Sequence, residues 1–169
     1  MKILVINGHP DKESFCQEIF RTIVENIDSN HHELESINLN EIDFDPVLRY
    51  GYRKRMEEDS FILRSQELIQ WADHFIFVYP IWWSSMPSLL KGWIDRVFTP
   101  GIAYSANNQG SFIWNYLRGQ QFKKLLKGKS ASIYATSMAP TWWYKAFSGP
   151  ISIPDSYGIS VLKLSLIHI

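Results

Sequence analysis

Phe75-Ile76-Phe77-Val78-Tyr79 is an unbroken apolar run that ends on Pro80. A strand buried on both faces of a parallel sheet reads this way, so the run predicts the central strand of an α/β domain. Pro80 has no N–H to give to a ladder and biases Tyr79 towards extended backbone, which brings the chain out of the sheet at Ile81, Trp82 and Trp83. A helix is expected next. Pro87 suits its first turn, and Leu89, Leu90, Trp93, Ile94, Val97 and Phe98 fall on one face at helical spacing, leaving Lys91, Asp95 and Arg96 for solvent. Ligands of open α/β sheets bind outside the carboxyl ends of the strands, so the adjacent tryptophans are placed to wall a planar ligand.

The length of 169 residues fits a single domain with a substantial core. Its 17 basic and 17 acidic residues cancel, which leaves no electrostatic footprint for nucleic acid and no polybasic membrane patch. The same balance argues against a strongly acidic electron carrier. Cys16 is the one cysteine; it excludes an internal disulfide and suits a reducing compartment. The N-terminus opens directly on a strand pattern with no signal peptide, and no run approaches the roughly 20 apolar residues of a membrane helix. A cytoplasmic protein is expected. Aromatic residues make up 15% of the chain, with seven tryptophans. Neighbours on an extended segment point opposite ways, so one member of each pair, Trp82/Trp83 and Trp142/Trp143, is expected to face a cleft or a partner.

Taken in order, Ile3 to Asn7 reads as a buried strand and Gly8 opens a turn. His9 to Ser14 leads into a helix over about Phe15 to Ile27, where Phe15, Ile19, Ile23 and Ile27 recur every four residues. Ser14 stands at the N-cap. The open N–H groups of the first turn, the helix dipole, the Ser14 hydroxyl and the His9 ring together suit an anion. A simple cap with a structural histidine fits the pattern equally well. Neither the P-loop nor the Gly-x-Gly-x-x-Gly fingerprint is present. Glu33 to Leu39 reads as a second, outer strand. Leu48 to Trp71 reads as a helix whose mixed charges face solvent, with Leu68, Trp71 and Ala72 closing it against the central strand. Thr99 to Ser111 is expected to be a long loop, and the lysines of Lys123 to Lys129 a solvated turn. Ser130 to Thr136 is the next strand, running into the polar and aromatic loop Thr136 to Tyr144. A last helix is expected over about Ser156 to Leu166.

Three loops, His9 to Cys16, Pro80 to Trp83 and Thr136 to Tyr144, fall at one sheet edge. Together with Gly8-His9-Pro10-Asp11, Leu90-Lys91-Gly92-Trp93-Ile94-Asp95-Arg96-Val97-Phe98 and Ala103-Tyr104, they resemble the flavodoxin-like NAD(P)H quinone oxidoreductases. That group includes bacterial drug-activity modulators and flavoprotein subunits associated with potassium efflux. The resemblance implies an α/β, flavodoxin-like three-layer sandwich with a parallel sheet of order 2-1-3-4-5 and flavin at the switch point between strands 1 and 3. It implies a cofactor, FAD or FMN, with NADPH or NADH as electron donor.

Carried over by position, His9, Ser14, Phe15 and Cys16 would hold the flavin phosphate and ribityl chain. Pro80, Ile81, Trp82 and Trp83 would pass along the isoalloxazine edge, with Thr136, Ser137 and Met138 on its other side. Tyr104 would wall the substrate pocket from a second subunit of a homodimer, and Trp143 and Tyr144 would line it. Mammalian members carry paired glycines and then a Tyr and a His in the loop after strand 4. Here Ser137-Met138 replaces the glycines and no histidine follows nearby, so the flavin is expected to do the chemistry, with Tyr144 as a contact. A bacterial subgroup with a similar Thr-x-Met-x-x-Pro-x-Trp-Tyr-Tyr phrase is closer.

The resemblance further implies two-electron, hydride-type reduction of quinones or similar electrophiles by a ping-pong mechanism. The alternative is an ancillary subunit of a potassium-efflux transporter, peripherally associated with the membrane. The family pattern continues for about 25 residues beyond the last helix, into a fifth strand. Leu164 to Ile169 resembles the translation of a sequencing adaptor, so one domain over 1–163, lacking strand 5 and followed by a non-native tail over 164–169, is expected.

Overall fold

A computed structural model describes residues 1–83, 85–106 and 122–138. Its centre is a parallel sheet of four strands, β1 (Lys2–Asn7), β2 (Glu33–Asn38), β3 (His74–Pro80) and β6 (Ser130–Thr136), in the order β2-β1-β3-β6. Apart from numbering this is the expected 2-1-3-4 arrangement. The numbering shifts because two short strands, β4 (Tyr104–Ala106) and β5 (Phe122–Lys124), form a separate antiparallel pair. Tyr104 therefore lies in a strand, where a loop was expected. Trp143, Tyr144, the last helix and the tail lie outside the described residues, as does any fifth parallel strand.

Strand periodicity divides the core into two layers. Ile3 and Val5 of β1 and Ile76 and Val78 of β3 pack with Cys16 and Phe20 of helix α1 (Phe15–Asn26) on one face. Leu4, Ile6, Phe75, Phe77 and Tyr79 point to the other. There they meet helices α2 (Ser60–Trp71) and α3 (Ser88–Val97), with Leu68, Ile69, Leu90 and Trp93 between them. All five residues of the Phe75 to Tyr79 run are buried, as a strand covered on both faces requires.

Helix α2 starts at Ser60 instead of Leu48. Asp59 caps it, its Oδ1 accepting from the N–H groups of Phe61 and Ile62 at 2.9 and 3.3 Å. Upstream, Gly51 takes a positive φ of 56° and the charged residues carry no apolar face that would pay for a helix. Arg96 corrects a second expectation. It is 7% exposed, and its Nη1 donates to the Asp45 carbonyl at 2.6 Å, with Asp59 Oδ2 4.0 Å away. One turn earlier on the same face, Gly92 lets the Asp45-Pro46 turn lie directly on α3; a Cβ there would stand 2.4 Å from the Pro46 carbonyl oxygen. Lys129 is half-buried: its Nζ donates to the carbonyls of Gln70 and Ala72, closing the C-terminal end of α2. Burial pushes its pKa down.

Candidate functional site

The carboxyl ends of β1, β3 and β6 and the N-terminus of α1 meet at one edge of the sheet. Ser14 caps α1 as expected, with Oγ accepting from Gln17 N–H at 3.2 Å. Among the described residues, the N–H groups of Phe15 and Cys16 have no protein acceptor, so the first turn keeps donors and the positive end of its dipole for an anion. The Phe15 side chain departs from the four-residue pattern. It is 73% exposed, and α1 is anchored by Cys16, Gln17 and Phe20.

His9 precedes this turn. Its Nδ1 accepts the Asp11 N–H at 3.0 Å, which leaves the proton of the neutral ring on Nε2 as a donor. Burial lowers its pKa, opposed by the negative charge of Asp11. The imidazole stands edge-on to Trp82, with centroids 5.4 Å apart. Cys16 Sγ lies 3.3 Å from Thr136 Oγ1, and burial pushes its thiol up, so it stays neutral. These two contacts tie the anion end of the site to the loops after β3 and β6.

Those loops enclose a cleft of about 570 Å³ lined by Pro80, Ile81, Trp82, Trp83, Thr136, Ser137 and Met138. Its size and aromatic wall suit a planar organic ligand. Pro80 pairs with Thr136 at the end of the β3–β6 ladder, and Ile81 N–H extends the pairing to the Thr136 carbonyl at 2.8 Å. Trp82 and Ser85 then exchange two backbone hydrogen bonds, 2.9 and 3.0 Å, and close a tight turn. Trp83 sits at the turn's corner with φ 50°. Pro80 has no N–H, and those of Ile81 and Trp82 are committed, so among the described residues of this loop Trp83 holds the backbone donor open to a ligand. Both tryptophans face out: Trp82 is 45% exposed and Trp83 fully so, as is Met138. The expectation of one outward member is thus exceeded.

Tyr104 is half-buried against the main core and does not line this cleft. A second cleft of about 550 Å³ lies elsewhere, between residues 48–59 and the end of α3. No helix of the described residues is long and apolar enough to cross a membrane, and no group of ligating side chains among them suits a metal.

An amide cluster at the ends of β1 and β2 escaped the sequence reading. Gln17 Oε1 accepts from the side-chain nitrogens of Asn7, Asn38 and Asn40 at 2.9, 3.2 and 3.0 Å. Asn7 Nδ2 also donates to Asn38 Oδ1 at 3.0 Å. The available signal was Asn7 closing an apolar strand and Asn38-Leu39-Asn40 closing its neighbour, both at the edge where ligands bind.

Comparison with known proteins agrees with this fold. A family model described as having a flavodoxin-like fold matches residues 1–156. The ribosyldihydronicotinamide dehydrogenase-like protein traD of Penicillium crustosum is 30% identical, over 94% of this chain and 67% of its own. The mouse (Mus musculus) ribosyldihydronicotinamide dehydrogenase [quinone] is 27% identical over 79% of this chain and 66% of its own. The chain thus spans about two thirds of the length of these curated relatives. Among solved structures, Smu.1420 from Streptococcus mutans UA159 superposes with a TM-score of 0.69 at 30% identity, covering 100% of this chain and 87% of that one. The chain belongs to the flavodoxin-like NAD(P)H quinone oxidoreductase family.

Proposed function

We propose that the protein is a flavin-dependent NAD(P)H oxidoreductase that reduces quinones or similar electrophiles two electrons at a time by a ping-pong mechanism. The observation that carries this reading is the continuity of the site. A cleft walled by Trp82, Trp83 and Met138 joins, through the His9–Trp82 and Cys16–Thr136 contacts, a helix N-terminus with open N–H groups. A flat aromatic ring with a phosphorylated tail fits that shape and that polarity. When bound, FAD or FMN supplies the hydride chemistry, taking a hydride from NADPH or NADH and passing it to the acceptor.

The chain's own residues bind and orient. Ser14, Phe15, Cys16 and the His9 Nε2–H hold the phosphate and ribityl groups. The Trp83 N–H would meet the ring edge, where a hydrogen-bond donor favours added negative charge. Ile81, Trp82, Thr136, Ser137 and Met138 exclude water around the ring, and Pro80 sets the turn that carries the tryptophans. Tyr104 would serve the cleft of a second copy in a homodimer. The names of the relatives, dehydrogenases acting on quinones, support the same reaction class.

The test is steady-state turnover of the flavin-loaded protein with NADPH or NADH and a simple quinone. Parallel double-reciprocal lines are expected. Intersecting lines would contradict the ping-pong order, and absence of turnover would contradict the enzymatic reading.

A further inference from the structure

The amide cluster around Gln17 has a direction built into it. Two backbone groups of His9 dictate the orientation of its side chains: the His9 N–H donates to Asn7 Oδ1 at 3.1 Å, and the His9 carbonyl accepts from Asn40 Nδ2 at 3.2 Å. Asn7 must therefore turn its Nδ2 towards Gln17, and Gln17 must answer with Oε1. Asn40 Nδ2 lies between two acceptors, the His9 carbonyl and Gln17 Oε1, so the opposite amide orientation would set oxygen against oxygen. Its Oδ1 is buried and accepts nothing among the described residues, so Asn40 is held there through its side-chain nitrogen. Both ends of the His9 residue are thus clamped to the first turn of α1, the turn whose N–H groups remain open.

We propose that Asn40, by donating to the His9 carbonyl and to Gln17 Oε1, is a positioning residue that presets the His9 to Cys16 loop as a phosphate cradle and so makes the site select phosphorylated flavins over riboflavin. The inference rests on the flavin reading given under Proposed function. Asn40 itself is not among the residues that line the ring cleft. Its substitution therefore acts first on the phosphate end: the loop must be ordered at the moment of binding, and that ordering opposes affinity.

The experiment titrates the full chain and its Asn40→Ala variant with FMN and, separately, with riboflavin, and records the melting of the flavin-free proteins. The wild type is expected to bind FMN more tightly than riboflavin. Losing two hydrogen bonds from the clamp should weaken FMN about tenfold and riboflavin, which meets the same loop through its ribityl chain alone, by clearly less. Asn40→Leu, of similar volume and without donors, should give the same split should the smaller side chain loosen the fold. An unchanged FMN affinity in a folded variant, or equal loss of both ligands, overturns the role of Asn40. A wild type that binds neither flavin overturns the flavin reading itself, and this inference with it.

Discussion

Trp83 carries a cost in the fold that its surroundings do not repay. It holds φ 50° while its ring is fully exposed. Left-handed backbone costs a non-glycine residue about 1–2 kcal/mol, more than the roughly 0.5–1 kcal/mol by which glycine's extra freedom disfavours folding. Trp83→Gly is therefore expected to raise the stability of the flavin-free protein by about 0.5–1 kcal/mol in urea unfolding, while flavin affinity falls. Lower stability, or unchanged affinity, would show that the ring packs on protein and not on a ligand. Trp83 was legible as an outward-facing residue because an adjacent aromatic pair after a buried strand has nowhere to hide both rings. Its backbone strain was not legible, since it arises from the Trp82–Ser85 hydrogen bonds that close the turn. Asn40 was invisible for a related reason: its meaning depends on His9, far away in sequence.

At the scale of elements, periodic segments were readable and aperiodic ones were not. β1, β3 and β6 follow from apolar runs, and α1 and α3 from apolar residues at helical spacing with caps or a proline at the start. Residues 48–59 were misread because alternating charge is compatible with a helix face or with turns, and only the Asp59 cap settles where α2 starts. The β4–β5 pair went unseen because three-residue strands owe their existence to pairing across a long sequence gap. Arg96 was assigned to solvent because helical spacing cannot foresee a turn docking on the same face. Two substitutions test these elements. Ser14→Ala should cost about 1 kcal/mol of unfolding free energy through loss of the α1 cap; no change would show that the Ser14 carbonyl, which also accepts the Gln17 N–H at 3.0 Å, suffices by itself. Gly92→Ala sets a helix-propensity gain of about 1 kcal/mol against overlap with a backbone oxygen at 2.4 Å. The overlap should win, with a net loss of about 1–3 kcal/mol, read as a lower denaturation midpoint. A stabilised variant would place the Asp45-Pro46 turn elsewhere.

Across the whole molecule, acidity probes both ends of the sheet at once. His9 lies at the carboxyl edge, and His74 at the opposite end between the hydroxyls of Ser130 and Ser132 at 2.7 and 3.1 Å. Burial lowers the pKa of each from 6.5. The unfolded chain therefore binds more protons below about pH 6.5, so the contribution of these histidines is complete above that value and is lost as pH falls through their folded values. Asp28 and Asp45, lowered from 3.8, titrate below this window. Stability should fall as pH is lowered below about 6.5, and less so in His74→Gln; an equal fall in both proteins would exonerate His74.

The account as a whole stands on one claim, that the loops after β3 and β6 and the first turn of α1 form a flavin site. The most direct measurement is the visible absorbance of the purified chain with FMN or FAD, before and after NADPH, compared with Trp83→Ala. The account predicts a flavin band that stays with the protein through gel filtration, bleaches on adding NADPH, and is weakly retained by the variant. A folded wild type that keeps no flavin, or a Trp83→Ala protein that retains it as well as wild type, would contradict it.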